Sequence, residues 1–425
     1  MSKTILNKVN LENYNYLDDQ DPLKEFSKRF YYPQYKTKIP FIYLSGNSLG
    51  LQSDNTKKYV LDELDAWKSL GVDGHLISKR PWLAYHEFLT SYSAEIVGAQ
   101  DKEVVVMNSL TVNLHLLMVS FYRPKGKRKK ILIENNAFPS DIYAIQSQLK
   151  FHGNDPKEDL LILNSNDKDI VSMSDISTCL ENHGDEIALV LLGGVNYYTG
   201  QAFDMSAITD RAQNYGCRVG FDLAHAAGNL KMRLHDWGVD FAAWCGYKYL
   251  NGGPGAPSSI FIHERHLNKM DLPRFEGWWG HDKASRFDMP EKFIPLKTAE
   301  AWQLSNPPIL SMAALLSSLE IFHEVGMSSL SEKSKKLTSY LEALLDAQLG
   351  EYLEIITPSS NKSRGCQLSI RLKNKSNNIV KKLHENGVIC DWREPDIIRV
   401  APVPLYNSFQ DCYQFVYKLK EIINE

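Results

Sequence analysis

A chain of 425 residues is longer than one hydrophobic core usually fills, so the sequence predicts two domains. Hydrophobic residues make up 43% of the chain and charged residues 23%, which is ordinary for a folded globular protein. The formal net charge of −3 gives no electrostatic reason to expect binding to nucleic acid or to a membrane surface.

The sequence also lacks the patterns of a signal peptide, a membrane span, a metal site and a disulfide framework. Residues 1–10 have no apolar stretch of signal-peptide length, and no apolar run approaches the about 20 residues that span a bilayer. The six cysteines are scattered, without a Cys-x-x-Cys pair. We therefore expect a cytoplasmic protein without a metal, in which the basic run at 125–130 is a solvated loop.

Short apolar runs alternate with helical patterns through the middle of the chain, which predicts an α/β fold. The runs are apolar on both faces, so we expect a mostly parallel sheet that is covered by helices on both sides. A helix is predicted over 205–215, ended by Gly216. The predicted strands are 104–107, 131–133, 160–163, 187–192, 219–221, 241–244 and 260–262.

The pattern changes at Pro307 and Pro308, because prolines continue neither a helix nor a central strand. Beyond them we predict helices over 309–324 and 331–349, and strands near 353–356, 366–372 and 397–400. The sequence thus predicts a large domain over residues 46–309 and a smaller α+β domain, formed by residues 1–45 together with 310–425.

Asp222 and Lys248 each follow a predicted strand of the large domain. Because parallel strands present their carboxyl ends at one edge of a sheet, we expect the two side chains to meet there. A lysine alone is usually a solvated surface charge. A lysine beside a buried aspartate is what a pyridoxal phosphate (PLP) enzyme needs, since the lysine binds the aldehyde covalently and the aspartate keeps the pyridine nitrogen protonated.

Two loops at the same edge carry further candidate groups. Residues 109–113 follow a predicted strand and begin a helix whose first amides favour a phosphate, although a Ser or Thr N-cap is common without one. Residues 135–141 follow another strand. There Phe138 is a candidate for stacking on an aromatic ring and Asp141 for holding a polar group, or the loop is a turn that caps the next helix.

Two other residues have both a functional and a structural interpretation. His225 lies three residues beyond Asp222, next to any ring that this aspartate holds, or it is a structural histidine. Arg399 ends a predicted strand of the small domain. It is the candidate guanidinium for clamping a substrate carboxylate with paired hydrogen bonds, and a surface ion pair is the alternative.

Motifs from about residue 46 to residue 409 resemble those of the kynureninase family. They are GNSLG at 46–50, KRPW at 79–82, LTVNLH at 110–115, FPSD at 138–141, FDLAH at 221–225, YKYLN at 247–251 and RVAPVPL at 399–405. The resemblance implies the PLP-dependent transferase fold of type I. It also implies hydrolysis of L-kynurenine or 3-hydroxy-L-kynurenine to anthranilate or 3-hydroxyanthranilate, with release of L-alanine.

The resemblance further assigns roles to residues. Lys248 would bind the cofactor covalently, Asp222 would pair with its pyridine nitrogen, and Tyr247 or Tyr198 is the candidate proton donor. Gly193 stands where many relatives carry a serine, so a backbone amide or a water would replace that hydroxyl. The implied cofactor contacts are Leu110, Thr111, Phe138, Pro139, Ser140, Asp141, Gly193, Tyr198, Asp222, His225, Tyr247 and Lys248, with Trp278 and Asn306 supplied by the second subunit of a homodimer.

The implied substrate-binding residues are Ser48, His75, Asn306 and Arg399. Arg399 would bind the α-carboxylate of the substrate. His75 and Asn306 are polar where a hydroxyl on the aromatic ring could be recognised, which predicts a preference for 3-hydroxykynurenine.

Other functions remain compatible with the same fold. A class V aminotransferase would need an oxo acid as co-substrate, and a cysteine desulfurase would need a mobile cysteine, for which Cys366 is the best candidate. A catalytically silent, cofactor-binding scaffold is the alternative outside enzymes. The presence of both Asp222 and Lys248 argues against it.

Overall fold

The computed structural model describes residues 13–165, 169–373 and 378–425. Among these residues, seven strands form a central sheet. The strand Ser258–Ile262 runs antiparallel to both of its neighbours, and the other pairings are parallel. The α/β prediction is confirmed. In spatial order the strands are Val104–Val106, Ser258–Ile262, Phe241–Cys245, Arg218–Asp222, Ile187–Gly193, Lys130–Glu134 and Leu160–Leu163.

Hydrophobic cores lie on both faces of this sheet. Successive residues of a strand alternate between them, so that Ala242 and Trp244 face one core while Phe241 and Ala243 face the other. Burial of both faces explains why the strands are apolar throughout. The helices of this part of the chain are Thr56–Leu70, Gly74–Ile77, Glu87–Val97, Leu110–Phe121, Pro139–Phe151, Pro156–Asp159, Met173–His183, Met205–Asn214 and Glu264–Leu267.

A second, antiparallel sheet is built from the C-terminal part of the chain. In the described residues its strands are, in order, Leu353–Ile355, Leu368–Leu372, Ile397–Val400 and Asp391–Arg393. The helices Met327–Leu349, Asn378–Glu385 and Phe409–Asn424 accompany it. Short strands elsewhere are Phe30–Tyr31 with Gln52–Ser53, Gln34–Lys36 with Ile39–Pro40, and Ile42–Tyr43 with Val388–Ile389.

The N-terminal segment packs against this second unit. Helix Tyr14–Asp19 lies on helix Phe409–Asn424, where the carboxylate of Asp18 accepts hydrogen bonds from the first backbone amides of the longer helix. Leu17, Ile42 and Leu44 join its hydrophobic core. The described N-terminal residues therefore pack on the C-terminal part of the chain, and the assignment of residues 1–45 to the smaller domain stays a prediction.

Helix Ile309–Val325 bears on where the predicted domains meet. We assigned it to the small domain, but its apolar side chains, from Met312 to Phe322, belong to the core on the large sheet. Within helix Met327–Leu349, Met327 and Leu330 also belong to the core on the large sheet, and the side chains from Leu337 onward join the second core. We therefore propose that the change of domain lies within helix Met327–Leu349, between Leu330 and Leu337, rather than at residue 309.

Several element boundaries also differ from the prediction. The helix expected from residue 331 begins at Met327, and the strand expected from residue 366 begins at Leu368. In the basic run, Lys127 and Lys130 pair with acidic residues, and Arg128 donates to the carbonyls of Gly184 and Tyr215. Residues 125–127 are exposed, as predicted for a solvated loop, and Arg128 anchors the end of the run.

In the described part of the chain, no single helix is long and apolar enough to cross a membrane. Helices Ile309–Val325 and Met327–Leu349 reach that length and apolarity only together, across a bend of 82°. Most of their apolar side chains are buried in the protein. The six cysteines, all within the described residues, are free thiols.

Candidate active site

A cavity of about 200 Å³ opens at the carboxyl edge of the large sheet. The strands Lys130–Glu134, Ile187–Gly193 and Arg218–Asp222 end at it. A larger cleft of about 750 Å³ contains none of the predicted site residues. The residues that line the smaller cavity are Ser109, Leu110, Thr111, Glu134, Phe138, Ser140, Asp141, Gly193, Val195, Tyr197, Asp222, Ala224, His225, Tyr247 and Lys248.

Lys248 is held between His225 and the N-terminal loop that contains Gly50. Its Nζ lies 3.1 Å from Nε2 of His225 and 6.0 Å from the ring centre of Phe138. The amide of Gly50 donates to the carbonyl of Tyr247, and a Cβ at position 50 would lie 2.4 Å from the carbonyl oxygen of Lys248. A glycine is therefore required at position 50 for the loop to approach the lysine this closely.

His225 is a neutral histidine in this cavity. Burial lowers its pKa well below the ordinary value, and the positive charge of Lys248 lowers it further. A neutral ring can accept a hydrogen bond from Lys248 at Nε2, which leaves the proton on Nδ1. That Nδ1 is buried and has no hydrogen-bond partner among the described residues.

Asp222 and Asp141 form a coupled carboxyl pair in the same cavity. Burial raises the pKa of Asp141, and the neighbouring Asp222 raises it further. Burial also raises the pKa of Asp222, which the hydrogen bond from Asp141 and the charge of Lys248 oppose. The pair therefore shares a proton that resides on Asp141. Oδ1 of Asp222 accepts the amide of Ala224 at 2.7 Å, which fixes the carboxylate at the strand end.

Glu134 is a further buried carboxyl group of the cavity, and the sequence analysis missed it. Its two oxygens accept the amide of Gly193 at 3.1 and 3.2 Å. Burial raises the pKa of Glu134 to about 7. A Cβ at position 193 would lie 2.9 Å from its Oε1. The Gly193 amide, expected to replace a serine hydroxyl, is therefore engaged by Glu134 instead.

Two helices begin at the wall of the cavity. Helix Leu110–Phe121 starts at the cavity, and its N-cap Ser109 makes no side-chain capping bond, so its first amides are free to receive an anion. The hydroxyls of Thr111 and Ser140 lie 2.9 Å apart. Pro139 is the first residue of helix Pro139–Phe151. These donors form a site suited to a phosphate group.

The aromatic residues Phe138 and Tyr197 line the cavity, whereas the predicted Tyr198 does not. Phe138 lines the cavity and is 48% exposed, and the ring of Tyr197 meets it edge-on at 5.2 Å. The predicted Tyr198 lies elsewhere. Its ring packs with Ile356 and Ile397, and its hydroxyl bonds to Arg371. Residues 197–199 form a turn, and of its two tyrosines only Tyr197 lines the cavity.

Tyr247 contributes a protonated phenol to the cavity. Burial raises its pKa, and the neighbouring thiol of Cys245, which hydrogen-bonds to it, raises it further. The hydroxyl therefore keeps its proton at neutral pH, as a proton donor must.

Arg399 lies beyond the cavity lining and is already engaged. Its side chain is 1% exposed and pairs with Asp391 through Nε, at 2.8 Å, and through Nη2. Nη1 donates to the carbonyl of Tyr197, and Nη2 also donates to the hydroxyl of Ser48. Ser48 in turn donates to Asp391 at 2.7 Å. The structure thus brings Ser48 and Arg399 together, with Asp391 between them.

His75, Trp278 and Asn306 do not line this cavity in the described chain. His75 bonds to the carbonyl of Val72 and packs against Trp82. Trp278 is 41% exposed, and Asn306 is exposed.

The sequence of the chain is similar to curated kynureninases over nearly its whole length. It is 54% identical over 405 residues to the kynureninase of Myxococcus xanthus, with 95% of each chain covered. It is 54% identical over 415 residues to that of Koribacter versatilis, with 96% of each covered. The family model described as the kynureninase C-terminal domain matches residues 330–419. The chain belongs to the kynureninase family.

Solved structures that resemble this kynureninase-family chain share its fold at low sequence identity. A cysteine desulfurase from Escherichia coli matches with a TM-score of 0.76 at 16% identity, covering 95% of this chain and 98% of its own. The enzyme C-DES, solved with glycine linked to its PLP cofactor, matches with a TM-score of 0.74 at 18% identity, covering 90% and 96%. The fold of type I PLP-dependent enzymes is therefore confirmed.

Cys366, the best candidate for a desulfurase nucleophile, is not placed to act as one. Cys366 lies just before strand Leu368–Leu372 rather than within it, and its side chain is fully buried. Burial raises the pKa of this thiol to about 12. A buried, protonated thiol is neither mobile nor nucleophilic.

The site residues that the sequence analysis missed are Ser109, Glu134, Val195, Tyr197 and Ala224. Glu134 carried a usable signal, because it is a charged residue directly after the apolar run 131–133, just as Asp222 follows 219–221. Ser109 was within the loop proposed for the phosphate. The position of Tyr197 depends on the direction of a loop side chain, which sequence does not specify.

Proposed function

We propose that this chain catalyses the PLP-dependent hydrolysis of L-kynurenine, in which water and kynurenine give anthranilate and L-alanine. The observation that carries the proposal is the meeting of Lys248, Asp222 and Phe138 in one cavity of a kynureninase-family chain. 3-Hydroxy-L-kynurenine, which would give 3-hydroxyanthranilate, is the second substrate that we propose.

The residues of the cavity fit PLP. The free amides at Leu110 and Thr111, with the hydroxyl of Ser140, suit its phosphate, and Asp222 suits its protonated pyridine nitrogen. The half-exposed ring of Phe138 offers a stacking surface. When bound, PLP supplies an electron-withdrawing ring that stabilises negative charge on the substrate carbon next to the amine.

We propose distinct proton-handling roles for the residues around that ring. Lys248 binds the cofactor and then carries protons to and from the substrate carbon, which its position beside neutral His225 supports. Asp141 keeps a proton and leaves Asp222 as the anion that faces the pyridine nitrogen. Tyr247, whose protonated hydroxyl lines the cavity, donates a proton to the β-carbon of the remaining alanine fragment.

We propose that the carboxylate end of the substrate binds near Arg399 and Ser48. These side chains are linked to the cavity wall through the carbonyl of Tyr197, which accepts from Arg399 at 2.9 Å. A guanidinium group in a buried setting binds a carboxylate more strongly than a surface lysine does.

We also propose a cytoplasmic homodimer in which Trp278 and Asn306 reach the site of the partner subunit. Their position outside the described chain's own cavity supports this arrangement. So do the exposed apolar side chains of Trp67, Leu76 and Ile77. The cytoplasmic location is supported by the six unpaired cysteines. A molar mass in solution that equals one chain would contradict the dimer.

The test of the proposed function is a visible spectrum of the PLP-loaded protein before and after addition of kynurenine, with anthranilate fluorescence followed in the same cuvette. We expect a spectral change and a rise in fluorescence. A protein that binds PLP but releases no anthranilate would contradict the proposal. Release of an amino acid only with an added oxo acid would indicate an aminotransferase instead.

A further inference from the structure

We infer that Arg393 is a second substrate-binding arginine, which takes up the α-carboxylate together with Arg399, and that Asp391 holds both guanidinium groups in place for it. The inference rests on the proposed function, and it adds to it a residue outside the motifs that define the site.

The side chains of Asp391, Arg393 and Arg399 lie on one face of the second sheet. Asp391 and Arg399 are cross-strand neighbours in the pairing of Asp391–Arg393 with Ile397–Val400. Arg393 lies two residues beyond Asp391 on the same strand, so its side chain projects from the same face. This face also holds Ser369, whose hydroxyl donates to the carbonyl of Tyr198, next to the cavity residue Tyr197.

Most hydrogen-bond donors of Arg399 are already occupied. Its bonds to Asp391, Tyr197 and Ser48 occupy, within the described residues, every guanidinium N–H except one on Nη1. A carboxylate that needs two parallel N–H donors cannot take both from Arg399 unless Asp391 leaves. Arg399 alone therefore does not provide a complete clamp.

Arg393, in contrast to Arg399, has a guanidinium donor without a partner among the described residues. Its Nη2 lies 3.1 Å from Oδ2 of Asp391, and its Nη1 donates to the carbonyl of Trp392. Its Nε is buried and has no hydrogen-bond partner among the described residues. Its side chain is 38% exposed, against 1% for Arg399. A buried, charged donor without a partner is costly, and an incoming carboxylate would satisfy it.

Arg393 interacts electrostatically with residues of the cavity. The positive charges of Lys248, Arg399 and Arg393 all act on the ring of His225, and Arg393 also interacts with Tyr197. Asp391 compensates the two arginines only in part, since one carboxylate faces two guanidinium groups. The group of Asp391, Arg393 and Arg399 is thus one negative charge short, which is the charge that a substrate carboxylate brings.

The experiment compares kynurenine with kynuramine, the amine that lacks the carboxylate. We expect Arg393→Gln to raise the KM for kynurenine about 10- to 100-fold, as for loss of a charged hydrogen bond, with kcat within about threefold. The inhibition constant of kynuramine should stay unchanged, because kynuramine has no carboxylate for Arg393 to bind. Arg393→Lys, which keeps the charge without the planar fork, should give a smaller rise in KM.

The control is Arg233→Gln, since Arg233 forms an exposed ion pair with Asp236 away from the cavity and should leave both constants unchanged. An unaltered KM in Arg393→Gln would overturn the inference. An equal weakening of kynurenine and kynuramine would also overturn it, because it would indicate a structural role. If Arg393→Gln does not fold, Arg393→Lys decides by the same comparison. A wild-type protein that releases no anthranilate would instead refute the proposed function, and the inference with it.

Discussion

The amine of Lys248 lies 3.1 Å from Nε2 of His225, although the two residues follow different strands of the large sheet. His225 is kept neutral by its burial and by the positive charge of Lys248, so its ring accepts a hydrogen bond from the amine. The contact holds the lysine over the cavity without supplying a negative charge. We propose that Asp222 and Asp141 serve the other end of the cofactor.

Replacement of Lys248 by alanine should remove the covalent attachment of the cofactor. In the wild-type protein, reduction with borohydride should fix PLP to the peptide that contains residue 248, as measured by mass spectrometry. The variant should show no fixed PLP and should lose about 10³-fold or more in kcat, as expected when a covalent catalyst is removed. Lys127→Ala, which alters an exposed ion pair, is the matched control. Labelling of another lysine in the wild-type protein would disprove the assignment.

Glu134 should make the cofactor-free protein less stable as pH rises. Its folded-state pKa is about 7, against 4.5 in the ordinary carboxyl group. Between these values the folded chain holds a proton that the unfolded chain releases, so the free energy of unfolding falls with increasing pH. The side chain of Glu134→Gln does not titrate, so the variant's free energy of unfolding does not fall for this reason. We expect its stability relative to wild type to increase by up to about 3 kcal/mol between pH 4.5 and pH 7, and to stay level above pH 7.

Urea unfolding of the cofactor-free proteins at several pH values measures this difference. Glu158→Gln, a change at an exposed position, should behave as wild type across the range. A difference between Glu134→Gln and wild type that does not vary with pH would show that Glu134 is ionised like a surface carboxylate.

The sequence predicted the centre of the site because strand ends are visible in the hydrophobic pattern. Asp222 closes an apolar run, and Lys248 follows another, so the topology of a parallel sheet brings them together. Tyr197 could not be distinguished from Tyr198 in this way, because the direction of a loop side chain depends on tertiary contacts such as the bond from Arg371 to Tyr198.

Long-range packing also decides which hydrophobic core a helix joins, and sequence does not show this directly. Helix Ile309–Val325 is apolar around most of its circumference, so its sequence does not indicate which core it joins. Its packing on the large sheet is decided by helices that lie far away in the chain, such as Thr56–Leu70. Arg393 was overlooked for a related reason, because its partner Asp391 becomes meaningful only when the strand pairing with Arg399 is known.

Tyr247→Phe should slow turnover without preventing the binding of PLP. The phenol is protonated at neutral pH, burial and the thiol of Cys245 raise its pKa further, and phenylalanine retains the ring but removes the donor. We expect kcat to fall about 10²-fold, within the usual range for loss of a general acid, while the visible spectrum of the bound cofactor persists. Stopped-flow measurement of anthranilate release tests this. Unchanged turnover would exclude Tyr247 as the proton donor.

The substrate with a ring hydroxyl should be preferred, with a higher kcat/KM for 3-hydroxykynurenine than for kynurenine. His75 and Asn306 are the polar groups that we expect to bind this hydroxyl, and a site that hydrogen-bonds a hydroxyl loses affinity for the analogue without it. Asn306→Ala should therefore reduce kcat/KM for 3-hydroxykynurenine by about tenfold and change that for kynurenine less. Because Asn306 lies outside the cavity of its own chain, a heterodimer of one Lys248→Ala subunit and one Asn306→Ala subunit should regain the wild-type kcat/KM for 3-hydroxykynurenine, since its one active site combines an intact Lys248 with an intact Asn306 from the partner subunit. Equal specificity constants for the two substrates in the wild-type protein would refute this preference, since neither residue would then contribute to discrimination.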